Sequence, residues 1–272
     1  MHKFRLAALA ASSILSFSAA HAANILIITG ATTTSESSTT SSVVNNVAPT
    51  CGPSNTYTTA DTLPASISAY DQIWDVRFSN SSALTASDNA AYAAFLQSGK
   101  TLFLMGENSS FPTRNNSVIA FVNEVGGGAL SFVLPGNTQT VNSPFTDGPL
   151  TSISYSAAGG VVTPGTGAFA TNNANGGTAI AWNTGTMTNA PKGAMTVVFD
   201  VNFMMDSAPA DQHQFFVNLC SFMATATSGS NNTVTPVAVP TMSPVGLGVL
   251  GSLSGWIAWV ALRRRRSTSR RA

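Results

Sequence analysis

Few side chains in this sequence could carry out chemistry, and they are far apart. Between residues 23 and 224 there is one histidine, His213, and there are two cysteines, Cys51 and Cys220. A thiol or hydroxyl nucleophile needs a base within hydrogen-bond reach. Cys51 sits in a Pro/Gly segment, Cys220 falls on an apolar helical stripe, and His213 borders no motif. The best polar cluster is Glu107, Asn108, Arg114 and Asn115, which follows an apolar strand at 101–105. In open α/β sheets ligands bind at the carboxyl ends of strands. Glu107 would suit a general base or a ligand anchor there, and Arg114 would hold an anionic group bidentately. The competing reading has Glu107 and Arg114 pairing with each other or capping the next helix. Ser109 and Ser110 offer hydroxyls, but the histidine is about a hundred residues away.

Metal and phosphate chemistry find less support. Asp200, Asn202 and Asp206, joined by Asp71 and Asp75, could offer oxygens to Ca²⁺, yet no EF-hand loop or repeat surrounds them. Gly126-Gly127-Gly128 follows a helical stripe, whereas a phosphate loop precedes a helix. Trp74, Phe78, Tyr92 and Phe103 lie at core periodicity, which favours packing over a sugar-stacking platform. No cofactor and no metal are expected.

The elements that position these residues alternate between strand and helix. Asn24 to Thr29 is a continuous apolar run ending at Gly30, and Gln72 to Phe78 is a second strand. Thr85-Ala86-Ser87-Asp88 has the form of a capping box, followed by a stripe of Ala91, Tyr92, Phe95 and Leu96 that Gly99 stops. Thr101 to Met105 is a strand. Val118 to Val125 is a helical stripe closed by Gly126, and Ala129 to Leu134 is a further strand. From Pro135 to about Pro191 the chain turns rich in Gly, Ser, Thr and Asn, with strand candidates at 153–155 and 178–182. Ala194 to Asp200 is the last strong strand, and a helix follows over 209–223. The Ser/Thr stretch 32–42 is either a flexible loop or the weakly helical start of a crossover. This succession predicts a three-layer α/β fold with a mostly parallel sheet and helices on both faces. A β-rich Gly/Ser/Thr/Asn segment is added to it, with a C-terminal transmembrane helix.

The two ends of the chain read as addresses. Lys3 and Arg5, the apolar stretch 6–17 and Ala20-His21-Ala22 form a signal peptide over 1–22, to be cut by signal peptidase. A polar linker spans 225–238. Then come Val239-Pro240-Thr241-Met242, an apolar run at 245–262 long enough to span a bilayer, and Arg263, Arg264, Arg265 and Arg266, which should stay cytoplasmic. Only 8% of the 272 residues are charged. Eight of the twelve bases lie in the tails, so the body carries four bases against eleven acids, a net of −7. That balance excludes a nucleic-acid partner, which needs clustered Lys and Arg. Two cysteines in an exported chain most often form one disulfide, so Cys51 and Cys220 are expected to be joined.

Two resemblances follow from these residues. The tail resembles the IPTL-CTERM sorting signals of Gram-negative bacteria. Val239-Pro240-Thr241-Met242 stands for the motif, Gly246 lies in the helix, and the four arginines close it. This implies an exosortase-like membrane enzyme as partner, with a transient inner-membrane anchor and then delivery to the cell surface or outside. The body resembles, in its order of landmarks over 24–223, the class I glutamine-amidotransferase-like superfamily, a flavodoxin-like fold. The stretches that carry this likeness run from ILIITG through YDQIWDVRF and AAYAAFLQSGKTLFLMGEN to TAIAW, GAMTVVFDVNF and DQHQFFVNLCSFM. Amidotransferases of that fold keep a Cys nucleophile at a strand-to-helix turn. The matching turn here, Met105-Gly106-Glu107-Asn108, has none, so the Cys-His-Glu triad is missing. The expected function is a noncatalytic, surface-displayed or matrix-associated exported protein, in company with an extracellular polysaccharide. The alternatives are a degenerate or novel hydrolase, or a glycan- or peptide-binding module, using the Glu107 region. The expected domains are 1–22, the exported α/β domain 23–224, the linker 225–238 and the sorting tail 239–272.

Overall fold

The computed structural model describes residues 22–30 and 37–230. All belong to the first of two compact units, Met1–Asn232 and Thr233–Ala272. The signal peptide up to His21, the tail motif and the apolar run 245–262 lie outside the described residues. Among those described, no helix is long and apolar enough to cross a membrane.

The elements run β1 (Asn24–Ile28), α1 (Ser37–Cys51), β2 (Thr56–Ala60), β3 (Gln72–Asp75), α2 (Ala86–Gln97), β4 (Thr101–Met105) and α3 (Pro112–Glu124). Then come β5 (Phe132–Val133), β6 (Thr138–Val141), β7 (Ser152–Ser154), β8 (Gly160–Val161), β9 (Ala168–Asn173), β10 (Gly176–Trp182), β11 (Ala194–Val198) and α4 (Ala210–Ser230). Nine strands follow one path, β2-β1-β3-β4-β11-β10-β9-β6-β7, with β5 and β8 attached beside β10.

The sheet is mixed, and this corrects the expectation of a mostly parallel one. Strands β2, β1, β3, β4 and β11 run parallel. Every other ladder, from β11–β10 outward to β6–β7 and including β8 and β5, is antiparallel. The physical reason lies in the connections. Two residues separate β9 from β10, and a parallel pair needs a crossover of a dozen or more. The chain from Pro135 to Trp182 therefore does not decorate a parallel sheet; it supplies the antiparallel half, and β11 then returns to pair parallel with β4.

Packing follows the pleat. Ile25, Ile27, Trp74 and Phe103 turn toward α1 and α4, meeting Val43, Val47, Phe215, Phe216 and Leu219. Leu26, Ile28, Ile73, Leu102 and Leu104 turn the other way, toward Tyr92, Phe95 and Leu96 of α2 and Phe121 and Val122 of α3. Helix α2 starts at the capping box: Asp88 N donates to Thr85 Oγ1 at 3.1 Å, and Thr85 N donates to Asp88 Oδ2 at 3.0 Å. Gly99, at φ 87°, ends it in a left-handed turn that favours glycine and starts β4.

One local expectation also shifts, and one open alternative closes on the helical crossover. The strand expected at Ala129–Leu134 reduces to β5, two residues paired only with β8. The Ser/Thr stretch leads into a full helix, α1, whose Val43 and Val47 are buried. Burial of one valine stripe outweighs the modest helix propensity of Ser and Thr.

Candidate functional site

The parallel strands deliver their carboxyl ends to one edge, where β4 runs on into Gly106-Glu107-Asn108 and β11 into Phe199-Asp200. Gly106 is required there, because a Cβ would lie 2.3 Å from the Phe199 ring and 3.1 Å from Asn115 Oδ1. Asn115, in the first turns of α3, then stitches the turn. Glu107 N donates to Asn115 Oδ1 at 2.8 Å, and Asn115 Nδ2 donates to the Glu107 and Asn108 carbonyls at 2.8 and 3.0 Å.

Both carboxylates at this edge are engaged. Glu107, 2% exposed, accepts at Oε1 from Asn108 N and Nδ2 (2.9 and 3.0 Å) and at Oε2 from Val201 N (2.8 Å). Asp200, fully buried, accepts at Oδ2 from Ser156 N and Ala157 N (both 2.9 Å) and at Oδ1 from Asn202 N and Nδ2 (2.8 and 2.9 Å). Burial, and then the charge of Asp200, push the Glu107 carboxyl up to about 7, against the pull of the Val201 and Asn108 bonds. That basicity suits a general base. The geometry does not, because each oxygen already holds a structural donor and almost no surface is open to a substrate. Gly159 closes the other side: a Cβ on it would come within 2.4 Å of the Glu107 carbonyl oxygen.

Arg114 does not join this pair. It is fully buried, donating from Nε to the Met105 carbonyl (2.9 Å) and from Nη1 to the Ser82 carbonyl (2.8 Å). Its Nη2 lies 3.3 Å from Asp75 Oδ1, close enough to pair by charge but without hydrogen-bond alignment. Asp75 is the centre of a buried network. Arg77 grips it with two bonds, Nε to Oδ1 at 2.8 Å and Nη2 to Oδ2 at 2.7 Å, and Tyr92 Oη donates to Oδ2 at 3.0 Å. Burial alone would raise the Asp75 carboxyl; the charges of Arg114 and Arg77 with their hydrogen bonds override it and hold it at about 2. Burial lowers Arg77, but Asp75 more than compensates, so its guanidinium stays charged. The sequence reading missed this network. Asp75-x-Arg77 at the end of a strand was the available signal, since two residues of like spacing share a face.

The remaining candidates scatter. His213 is exposed on α4. Asp71 Oδ2 accepts from Asn24 N at 2.9 Å, away from the Asp200 turn, and Asp75 is committed to its arginines. Among the described residues no group of three or more His, Cys, Asp or Glu is placed to hold a metal ion. Cys51 and Cys220 are joined in a disulfide that links the end of α1 to the middle of α4, with Cα atoms 5.0 Å apart.

No family model matches the sequence, and no curated protein matches it. Among solved structures, the mmIFT52 N-terminal domain is similar in fold, with a TM-score of 0.51 at 10% identity over 75% of this chain and 97% of that one. The exo-β-1,4-mannosidase Op5Man5 from Opitutaceae bacterium strain TAV5 follows at 0.45 and 10% identity, over 76% of this chain and 35% of that chain. A β-galactosidase from Rahnella sp. R3 gives 0.45 at 12% identity, over 77% of this chain and 31% of that chain. At these identities the likeness to the first concerns the fold alone, and no argument rests on the other two.

Proposed function

We propose that this chain is a noncatalytic exported protein, displayed at the surface of a Gram-negative cell or held in its extracellular matrix. The observation that carries the reading is the state of the β4 and β11 ends: Glu107, Asp200 and Arg114 are spent on backbone groups and on neighbouring Asn and Asp side chains. The Cys51–Cys220 disulfide supports delivery to an oxidising compartment. In this reading the leader 1–22 is removed by signal peptidase, and the tail, from Val239 through Arg266, is processed by an exosortase-like enzyme. The apolar run 245–262 anchors the chain only transiently, and an extracellular polysaccharide is its neighbour after release.

The test has two arms. Fractionated native cells should yield a surface or extracellular form that begins at Ala23 and lacks the tail by intact mass. That form should show no glutaminase, esterase or peptidase turnover above background. A full-length cytoplasmic protein with reduced cysteines would overturn the export arm. Turnover abolished by Glu107→Gln in a still folded protein would overturn the noncatalytic arm.

A further inference from the structure

We propose that the segment 199–206 is a pH-sensitive clasp, shut while the Glu107–Asp200 pair keeps a proton and opening locally once both carboxylates are ionised. The strand register brings the two together. Met105 of β4 lies beside Val198 of the parallel β11, so two residues further on Glu107 and Asp200 leave the sheet edge as neighbours. Val201, the residue after Asp200, donates its N–H to Glu107 Oε2 at 2.8 Å.

The segment ties several parts of the body together. Its centre, Val201–Met204, is a single 3-10 turn, which has few bonds of its own. The two carboxylates hold its start: Glu107 takes Val201 N, and Asp200 takes Asn202 N together with the Ser156 and Ala157 amides. At its end, Asn46 Nδ2 of α1 donates to the Met204 carbonyl at 3.1 Å, and Asp206 N donates to Ser42 Oγ at 2.9 Å. Phe203 packs on α4, with its ring centroid 5.7 Å from Phe215 and 6.0 Å from Phe216.

No cation balances the pair. Among the described residues neither Glu107 nor Asp200 makes an ion pair. Helix α3 brings Arg114, but its guanidinium is turned to Asp75 and to the Met105 and Ser82 carbonyls. Helix α1 carries no charged residue, and α4 brings only Asp211, whose Oδ2 accepts from Ser154 N, and the exposed His213. Asp206 is exposed, and Tyr155 Oη bonds Thr171 Oγ1. Two buried like charges without a counter-ion are costly, so one carboxyl keeps its proton at a pH where an isolated one has lost it. That carboxyl is Glu107, pushed up to about 7 by burial and then by Asp200. Opening the segment hydrates both groups, and a piece held by few bonds opens without the rest of the fold. Once hydrated, Glu107 returns toward 4.5. The proton therefore favours the shut form fully below about 4.5, and the preference is lost as the pH rises through about 7.

The test is amide hydrogen exchange on the oxidised full chain from pH 5 to 8, without urea and with urea below the unfolding transition. After division by the intrinsic exchange rate, the opening constant at Val201 and Asn202 should rise by up to about tenfold per pH unit between about 5 and 7, then level off. It should respond little to urea, because a local opening exposes little surface, whereas Leu102 and Leu104 in β4 should exchange by the urea-sensitive global route. Glu107→Gln should make the opening constant at both amides independent of pH. An opening constant in the wild type that is flat with pH would overturn the clasp. So would a urea dependence equal to that of Leu104, which leaves only global unfolding, or the wild-type slope retained in Glu107→Gln. The wild-type series decides by itself if the variant fails to fold.

Discussion

Breaking the Cys51–Cys220 link should lower the melting temperature of the body by roughly 10–20 °C. The bond joins residues 169 apart in sequence, so it closes a very long loop in the unfolded chain. The chain-entropy relation for such a loop gives about 5 kcal/mol at 25 °C. For a domain of this size each kcal/mol shifts the midpoint by about 2–4 °C, which sets the range. The perturbations are Cys51→Ser, Cys220→Ala and the double variant; alanine is chosen at 220 because that side chain lies in the core against α4's neighbours. Thermal unfolding by circular dichroism on oxidised protein is the assay. Each single variant should match the double within about 0.5 kcal/mol, since all three remove the same constraint. A wild-type protein whose two thiols alkylate without reductant would refute the reasoning. So would single variants whose midpoints fall by less than about 3 °C.

Three further outcomes are expected. Glu107 titrates near 7 when folded against 4.5 as an isolated group, so the folded state keeps a proton that the unfolded state has lost. Stability present below about 4.5 should therefore decline as the pH rises toward about 7, and urea midpoints from pH 5 to 8 should fall for the wild type but stay flat for Glu107→Gln. A flat wild-type profile would contradict this. Asp75→Asn leaves Arg77 and Arg114 buried without their counter-ion and should cost about 3–5 kcal/mol in chemical denaturation, with a loss under about 1 kcal/mol counting against the network. On the sorting proposal, replacing Arg263 to Arg266 with Ser would remove the proposed cytoplasmic anchor and should trap or mislocalise the protein; unchanged surface yield and tail processing would defeat that proposal.

The sequence by itself determined the elements whose signals are local. The apolar runs at β1, β4 and β11 are legible because a strand covered on both faces needs apolar side chains on both. Helix α2 is legible from its capping box and its closing glycine, whose hydrogen bonds span only a few residues. The two cysteines pointed to a disulfide because an exported chain oxidises its thiols. Strands β2, β6 and β9 were not legible: TYTTA, TQTV and AFATNN are half-exposed and rich in Thr and Asn, so they carry the composition of loops. What they pair with is set by neighbours far along the chain, and the direction of half the sheet went with them. The candidate site divides in the same way. Glu107, Asn108 and Asn115 could be placed at a strand end from spacing alone. Only the tertiary structure decided that Arg114 turns to Asp75, brought from 39 residues away, and that Val201 from the end of β11 occupies Glu107. Burial is a property of the assembled sheet edge, and it is burial that turns a carboxylate suited to catalysis into one held by its own backbone.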